Sequence, residues 1–242
     1  MGRDVTAFEL AVQDAAGIAV AGRVRPDRVE LASALSTGGL TPSIGLIRAA
    51  VDAGLEVHVL VRPRLGGFEY SATDRALIVA DARAALDAGA AGVVVGGTRD
   101  GRVDIDVVRA VQDIAGDAEI TFHRAFDTVA DRPSALSTLA GLGVTRVLTS
   151  GGATSAADAL DDLRALHRLA AGAVQIMAGA GVDASNARAV AATGVDALHA
   201  SARRTVIGTD ILALGSDPDS SGGRHETTDE TAAIAIRDAL SG

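Results

Sequence analysis

At 242 residues the chain is long enough for one large α/β domain, and its 48% hydrophobic content is ample for a full core although only 2% is aromatic. A net charge of −9, with no arginine run interleaved with aromatics, argues against nucleic acid as a partner. The absence of cysteine excludes disulfides, thiolate metal ligands and a Cys nucleophile; no apolar run approaches the roughly 18 residues of a membrane span, so a cytoplasmic chain with no membrane partner is expected.

Taken in order, short aliphatic runs at Phe8–Val12, Arg28–Leu31, Val57–Val61, Gly92–Gly96, Glu119–His123, Arg146–Ser150, Val174–Ala178 and Ala197–Ser201 read as buried parallel strands. Between them, apolar residues at helical spacing predict helices over Asp14–Ala21, Ser43–Ala53, Thr73–Ala88, Asp104–Ile114, Ser134–Leu142, Ser155–Ala170 and Ala184–Ala192. Glycines at 54, 89, 116, 143, 172 and 194 follow the helices as stop signals. Thr41 reads as an N-cap with Pro42 at the first helical position. Eight strand–helix units of this period predict an α/β fold, a closed (β/α)8 TIM barrel. A Rossmann sheet would want a Gly-rich fingerprint after the first strand, which Val12-Gln13-Asp14-Ala15-Ala16-Gly17 does not supply. The expected organisation is a single domain over 1–242, with the barrel at about 8–202 and a loop and terminal helix at 203–242. Leu214–Arg224 reads as a mobile loop, and Thr227 with Glu230 as a capping box for a last helix, Asp229–Leu240.

Period-2 alternation sorts each strand into a helix-facing and a barrel-facing set. Glu9, Glu30, His58, Leu60, Arg62, Thr121, His123, Ser150, His199 and Ser201 fall on the inner side. An unpaired buried charge is expensive, so Glu9 and Glu30 are expected to pair with cations such as Arg62 and Arg124. Arg62-Pro63-Arg64 places two guanidiniums on a stiff turn suited to anion binding. Backbone N–H groups at Ser150-Gly151 and Gly179-Ala180-Gly181 lie where late barrel loops often hold phosphate. Thr121-Phe122-His123-Arg124-Ala125-Phe126-Asp127 ends a strand in an imidazole, a cation and a carboxylate. The expected catalytic groups are therefore His123, Glu30 and Asp127. The expected ligand-binding groups are Glu9, Arg62, Arg64, Arg124, Ser150, Gly151, Gly179, Gly181 and Ser201. Whether the chain is an enzyme stays open on these residues; a small anionic metabolite is the expected ligand.

Arg28-Val29-Glu30-Leu31, Gly38-Gly39-Leu40-Thr41-Pro42-Ser43, Val61-Arg62-Pro63-Arg64, the Thr121–Asp127 stretch, Arg146-Val147-Leu148-Thr149-Ser150-Gly151 and Met177-Ala178-Gly179-Ala180-Gly181-Val182 occur in that order. Together they resemble the CutC family, from about Phe8 to Ala202. The resemblance implies a cytoplasmic TIM-type barrel, a homo-oligomer, and a role in copper homeostasis or copper binding. Copper(I) prefers thiolate and thioether ligands. With no Cys and two methionines, the chain leaves copper(II) or another divalent metal on His58, His123 and His199, with Glu9 and Glu30 as further oxygen ligands.

Overall fold

A computed structural model describes residues 6–207 and 224–241. Eight parallel strands form a closed barrel: β1 (Ala7–Val12), β2 (Arg28–Leu31), β3 (Val57–Leu60), β4 (Gly92–Val95), β5 (Glu119–Phe122), β6 (Arg146–Thr149), β7 (Gln175–Ala178) and β8 (Ala197–Ala200). Each pairs with its chain neighbours, and β8 closes on β1 through Phe8↔Leu198 and Glu9↔His199. Helices α1 (Ala15–Val24), α2 (Ile44–Asp52), α3 (Ala72–Asp87), α4 (Ile105–Ala115), α5 (Arg132–Gly141), α6 (Leu160–Ala170) and α7 (Ala187–Ala191) follow the first seven strands, and α8 (Glu230–Ser241) ends the chain. This is the expected (β/α)8 architecture. Among the described residues no helix is long and apolar enough to cross a membrane.

Local chemistry explains the boundaries. Asp14, Ser43, Ser71, Asp104 and Asp131 each accept a backbone N–H from the first turn of the helix they open. The N-cap of α2 is thus Ser43, not Thr41, whose hydroxyl instead bonds the Arg62 backbone. Asp229 caps α8 through Ala232 N, whereas Thr227 donates to Asp14, so the expected Thr227–Glu230 box is not formed. The stretch expected as one helix from Ser155 divides into a 3-10 turn, Ala156–Asp158, and α6. Two hairpins lay outside the strand–helix pattern: Thr98–Arg99 with Arg102–Val103, turning at Asp100-Gly101, and Arg203–Ile207 with Arg224–Thr228. Of the loop expected at Leu214–Arg224, Arg224 is a strand residue and the rest lies outside the described residues.

The alternation divides the barrel as the sequence suggests. Phe8, Leu10, Val29, Leu31, Val57, Val59, Ile120, Phe122 and Leu198 join one core between sheet and helices. Inside, small apolar clusters (Ala32, Leu60 and Val94; Leu148, Met177 and Ala197) sit among polar groups. At the N-terminal ends of the strands, the fully buried Arg146 donates from Nε to Gln175, from Nη1 to Thr121 and from Nη2 to Glu119 at 2.8 Å. His58 lies beside this group, 3.7 Å from Glu119, with both ring nitrogens buried and without a hydrogen-bond partner among the described residues. Its ring takes the space of a missing side chain: a Cβ at Gly92 would fall 2.8 Å from it and 2.6 Å from the Glu119 carbonyl.

Burial, reinforced by Arg146 and Arg28 and opposed by Glu9, lowers the pKa of His58 to about 4. The native ring is therefore neutral where the unfolded ring, near 6.5, begins to take a proton. Below pH 6.5 the unfolded chain binds more protons, so stability falls as pH drops, until the native ring also titrates near 4. We expect this one group to account for on the order of 3 kcal/mol of acid destabilisation. Urea unfolding of wild type and His58→Gln between pH 4 and 7 checks it: the variant should show a shallower fall, and an unchanged slope would mean that the native ring is already charged.

Candidate functional site

The C-terminal ends of the strands open into a cavity of about 810 Å³. Glu30, Arg62, His123, Arg124, His199 and Ser201 line it, with Leu60, Phe68 and Leu148 as apolar wall. All of these polar positions except Arg124 are inward ones of strand alternation, and they lie near or just past the C-terminal end of a strand, where this fold presents its chemistry.

Glu9, fully buried beneath the cavity, receives Arg28 Nε at 3.2 Å and lies 2.8 Å from His199 Nδ1. His199 Nε2 faces Glu30 at 3.7 Å. Burial would raise the pKa of Glu9, but the hydrogen bond and charge of His199, with Arg28 and His58, outweigh it and hold the group at about 2. His199 is raised: burial opposes its charge, yet two carboxylates favour it. Burial pushes Glu30 up to about 7, with His199 restraining the rise and Glu9 adding to it. The row thus runs from an ionised carboxylate, through an imidazole whose proton the two carboxylates favour, to a carboxyl close to its midpoint near neutral pH, a setting suited to general acid–base work.

His123 differs. Its Nδ1 accepts the Ala125 backbone N–H at 3.1 Å, and burial together with the Arg62 charge lowers its pKa to about 3. The ring is neutral, so its proton sits on Nε2, which is buried and has no partner among the described residues. A Cβ at Gly96 would come within 2.5 Å of this ring, so only glycine lets it lie there. Phe68 packs against it at 4.9 Å between centroids, and Arg62 lies over the same Phe68 ring.

Arg62 is the buried cation of the mouth, at 7% exposure. Nη1 donates to the Thr37 and Gly39 carbonyls and Nη2 to Gly66, while Nε is buried and has no hydrogen-bond partner among the described residues. No carboxylate lies within 4.0 Å of it among the described residues, so Glu9 and Glu30 do not pair with Arg62 as expected; Arg28 neutralises Glu9. Arg28 is the residue that the alternation argument missed, because a strand's first residue reads as a flank.

Arg124 does not pair with either glutamate. Its Nε meets Asp127 at 2.9 Å and its Nη2 donates to Ser150 Oγ at 3.0 Å. Asp127, expected as a catalytic carboxylate, also accepts from Thr149 Oγ1 and from the Ser150 backbone N–H, so it holds Arg124 and this loop in place and does not line the cavity. Gly151, at φ 74, donates to Thr149 Oγ1 within the same turn. Arg64 is turned away from the ligand role expected of it: it donates to the Leu65, Gly67 and Glu69 carbonyls, pairs with Asp74 and stacks on Tyr70. Gly181 and Ser201 line the cavity; Gly179 packs against Leu148 and His199, where a Cβ would meet Leu148 at 2.7 Å.

The three histidines expected to hold a metal do not form one cluster. His58 sits beside Glu119 and His123 lies past the end of β5, and neither joins His199 in a group of ligating side chains among the described residues. Among the described residues, the one group of three ligating side chains with donor atoms within 4.8 Å of one another is Glu9, Glu30 and His199. Copper(I) does not fit the inner surface: there is no Cys, and the Met177 Sδ is fully buried with Arg28 Nη2 at 3.8 Å. The oxygen and nitrogen donors of the Glu9–Glu30–His199 group suit a borderline divalent ion, which would have to displace a proton from His199.

The architecture and mouth define a (β/α)8 barrel protein with a buried acid–base row beside a cavity. The CutC family model matches residues 6–204, and the chain belongs to that family. An Agrobacterium fabrum CutC protein is 37% identical over 243 residues, covering 97% of this chain and 94% of the relative. A Caulobacter vibrioides CutC protein is 44% identical over 205 residues, covering 84% of each. A Streptococcus agalactiae crystal structure, described as a CutC copper homeostasis protein, superposes with a TM-score of 0.76 at 27% identity, covering 81% of this chain and 97% of that one. A 3-hexulose-6-phosphate synthase from Salmonella typhimurium shares the fold alone, at a TM-score of 0.63 and 15% identity, covering 98% and 99%.

Proposed function

We propose that this CutC-family chain is a barrel enzyme that binds a small anionic metabolite at its mouth, with Glu30 as the proton-transferring group. The observation that carries the reading is Arg62, a buried guanidinium that lines the cavity without a carboxylate counter-ion among the described residues. A buried charge without an opposite charge is costly, and an anionic ligand would supply one. Arg124 Nη1, free of partners among the described residues, is the second cation on the cavity wall. Titration calorimetry with inorganic phosphate tests the reading. Binding to wild type should weaken at least 10-fold in Arg62→Met and in Arg124→Met. The second variant guards against loop collapse, since Arg124 is half-exposed. Equal binding by all three proteins, or none by wild type, sinks it.

A second reading keeps the metal. The Glu9–Glu30–His199 group, together with the copper homeostasis description of the Streptococcus relative, supports copper(II) or another divalent ion as ligand. Copper(II) affinity should then rise between pH 6 and 8, as the His199 proton becomes easier to displace, and disappear in His199→Gln. Affinity that ignores both changes places any bound copper elsewhere.

A further inference from the structure

Resting on the anionic-ligand reading, we infer that the reaction is proton abstraction next to a carbonyl group, with Glu30 as base and the neutral His123 ring as the hydrogen-bond donor that stabilises the enolate oxygen. The cavity holds three groups that fit this chemistry and suit few others together. Glu30 lines the cavity and receives no hydrogen bond among the described residues, so its carboxylate is available to a C–H acid. His123 serves as a hydrogen-bond donor and not as an acid, because losing its single ring proton would leave an imidazolate anion. Its Nδ1 is occupied by Ala125 N–H, which fixes the remaining proton on Nε2, and this donor has no partner. A fixed, desolvated neutral donor of this kind polarises a carbonyl oxygen and bonds it more strongly as that oxygen gains negative charge. Arg62 packs over Phe68, which packs on His123, so the uncompensated cation sits next to that donor.

The step balances without a co-reactant. The Glu30 carboxylate takes the proton and the C–H bond breaks. Its electron pair forms the C=C bond as the carbonyl π pair moves to oxygen, where His123 Nε2–H receives it. The hydroxyl proton of the enediolate passes across to the adjacent oxygen, and the Glu30 carboxyl returns its proton to the neighbouring carbon as the first carbon becomes the carbonyl, giving isomerisation; return to the original carbon gives exchange alone. His199, held by Glu9 at 2.8 Å, faces Glu30 from 3.7 Å and fixes one side of the base. The substrate class is a small hydroxy-carbonyl compound carrying a phosphate or a carboxylate. Leu60 and Leu148 give the carbon skeleton an apolar wall.

The test uses the full chain in deuterated water with two probes, dihydroxyacetone phosphate for the phosphate arm and hydroxypyruvate for the carboxylate arm. Proton NMR reads C–H to C–D exchange, and calorimetry reads binding of each probe and of inorganic phosphate. Wild type should exchange one probe; Glu30→Gln should lose at least 100-fold in exchange rate with its affinity kept within a few-fold. His123→Leu should lose at least 10-fold in rate, and His123→Gln, which offers an amide donor, should recover part of it. Binding of phosphate or a probe without exchange, or exchange that survives Glu30→Gln, overturns the enolisation while leaving the anion site standing. Failure of phosphate and both probes to bind removes the anion site and this inference with it.

Discussion

Replacing Glu9 by Gln is expected to lower the unfolding free energy by about 3 kcal/mol at neutral pH, and by progressively less as the solution is acidified. The native carboxyl, held at about 2 by His199 and Arg28 against the effect of burial, stays ionised well below the 4.5 of the unfolded chain. That contribution is therefore fully present above pH 4.5 and disappears as pH falls through about 2. Gln fills the same space but carries no charge. It leaves Arg28 without its carboxylate and His199 without the partner at 2.8 Å that favours its proton. The His199 pKa should accordingly drop in the variant, visible as a shift of its NMR titration midpoint to lower pH. Urea midpoints for both proteins at pH 7 and at pH 3 check the stability term. A deficit of equal size at both values would locate the effect in packing and not in charge.

Arg146→Met should be the most destabilising change in the lower barrel, about 3 kcal/mol or more. The side chain is fully buried, and its three donor nitrogens hold Gln175, Thr121 and Glu119. Met occupies similar volume, but it leaves these acceptors facing one another inside the barrel with no donor. A second consequence separates this mechanism from a simple packing defect. Arg146 is one of the charges that depress His58, so the midpoint of His58 should rise in the variant. Arg23→Met serves as the control: Arg23 pairs with Glu230 at 2.8 Å on the exposed surface, where ion pairs contribute little. Arg146→Met with wild-type stability would show that the interior carries this cation at no net benefit.

Much of the site was legible from alternation. The inward assignment of Glu30, Arg62, His123, His199 and Ser201 needs only the two-residue strand period, and each reaches the cavity. The stop signals were equally local: Gly89 and Gly194 sit at φ 95 and 94, a conformation that glycine adopts without penalty. The Asp100-Gly101 hairpin was legible in principle, since that dipeptide favours a tight turn, but two-residue strands carry too little periodicity to stand out between β4 and α4.

What the chain alone could not decide is which inward groups meet. Glu9 and His199 touch although 190 positions separate them, because β8 closes on β1 in that register. His58 sits beside Glu119 and outside the group that His199 forms with Glu9 and Glu30, so three inward histidines do not make one metal site. Arg64 and Asp127 carried the right chemistry at strand ends, yet nearby carbonyls and hydroxyls claim them first. Sequence by itself determined the barrel, its polar mouth and the family, because periodicity, turn residues and motifs are local properties. Tertiary structure decided the Glu9–His199–Glu30 row, the unpaired charge of Arg62 and the locked tautomer of His123. Each of these depends on distances between different strands and loops, which closure and stagger of the sheet set and local pattern does not.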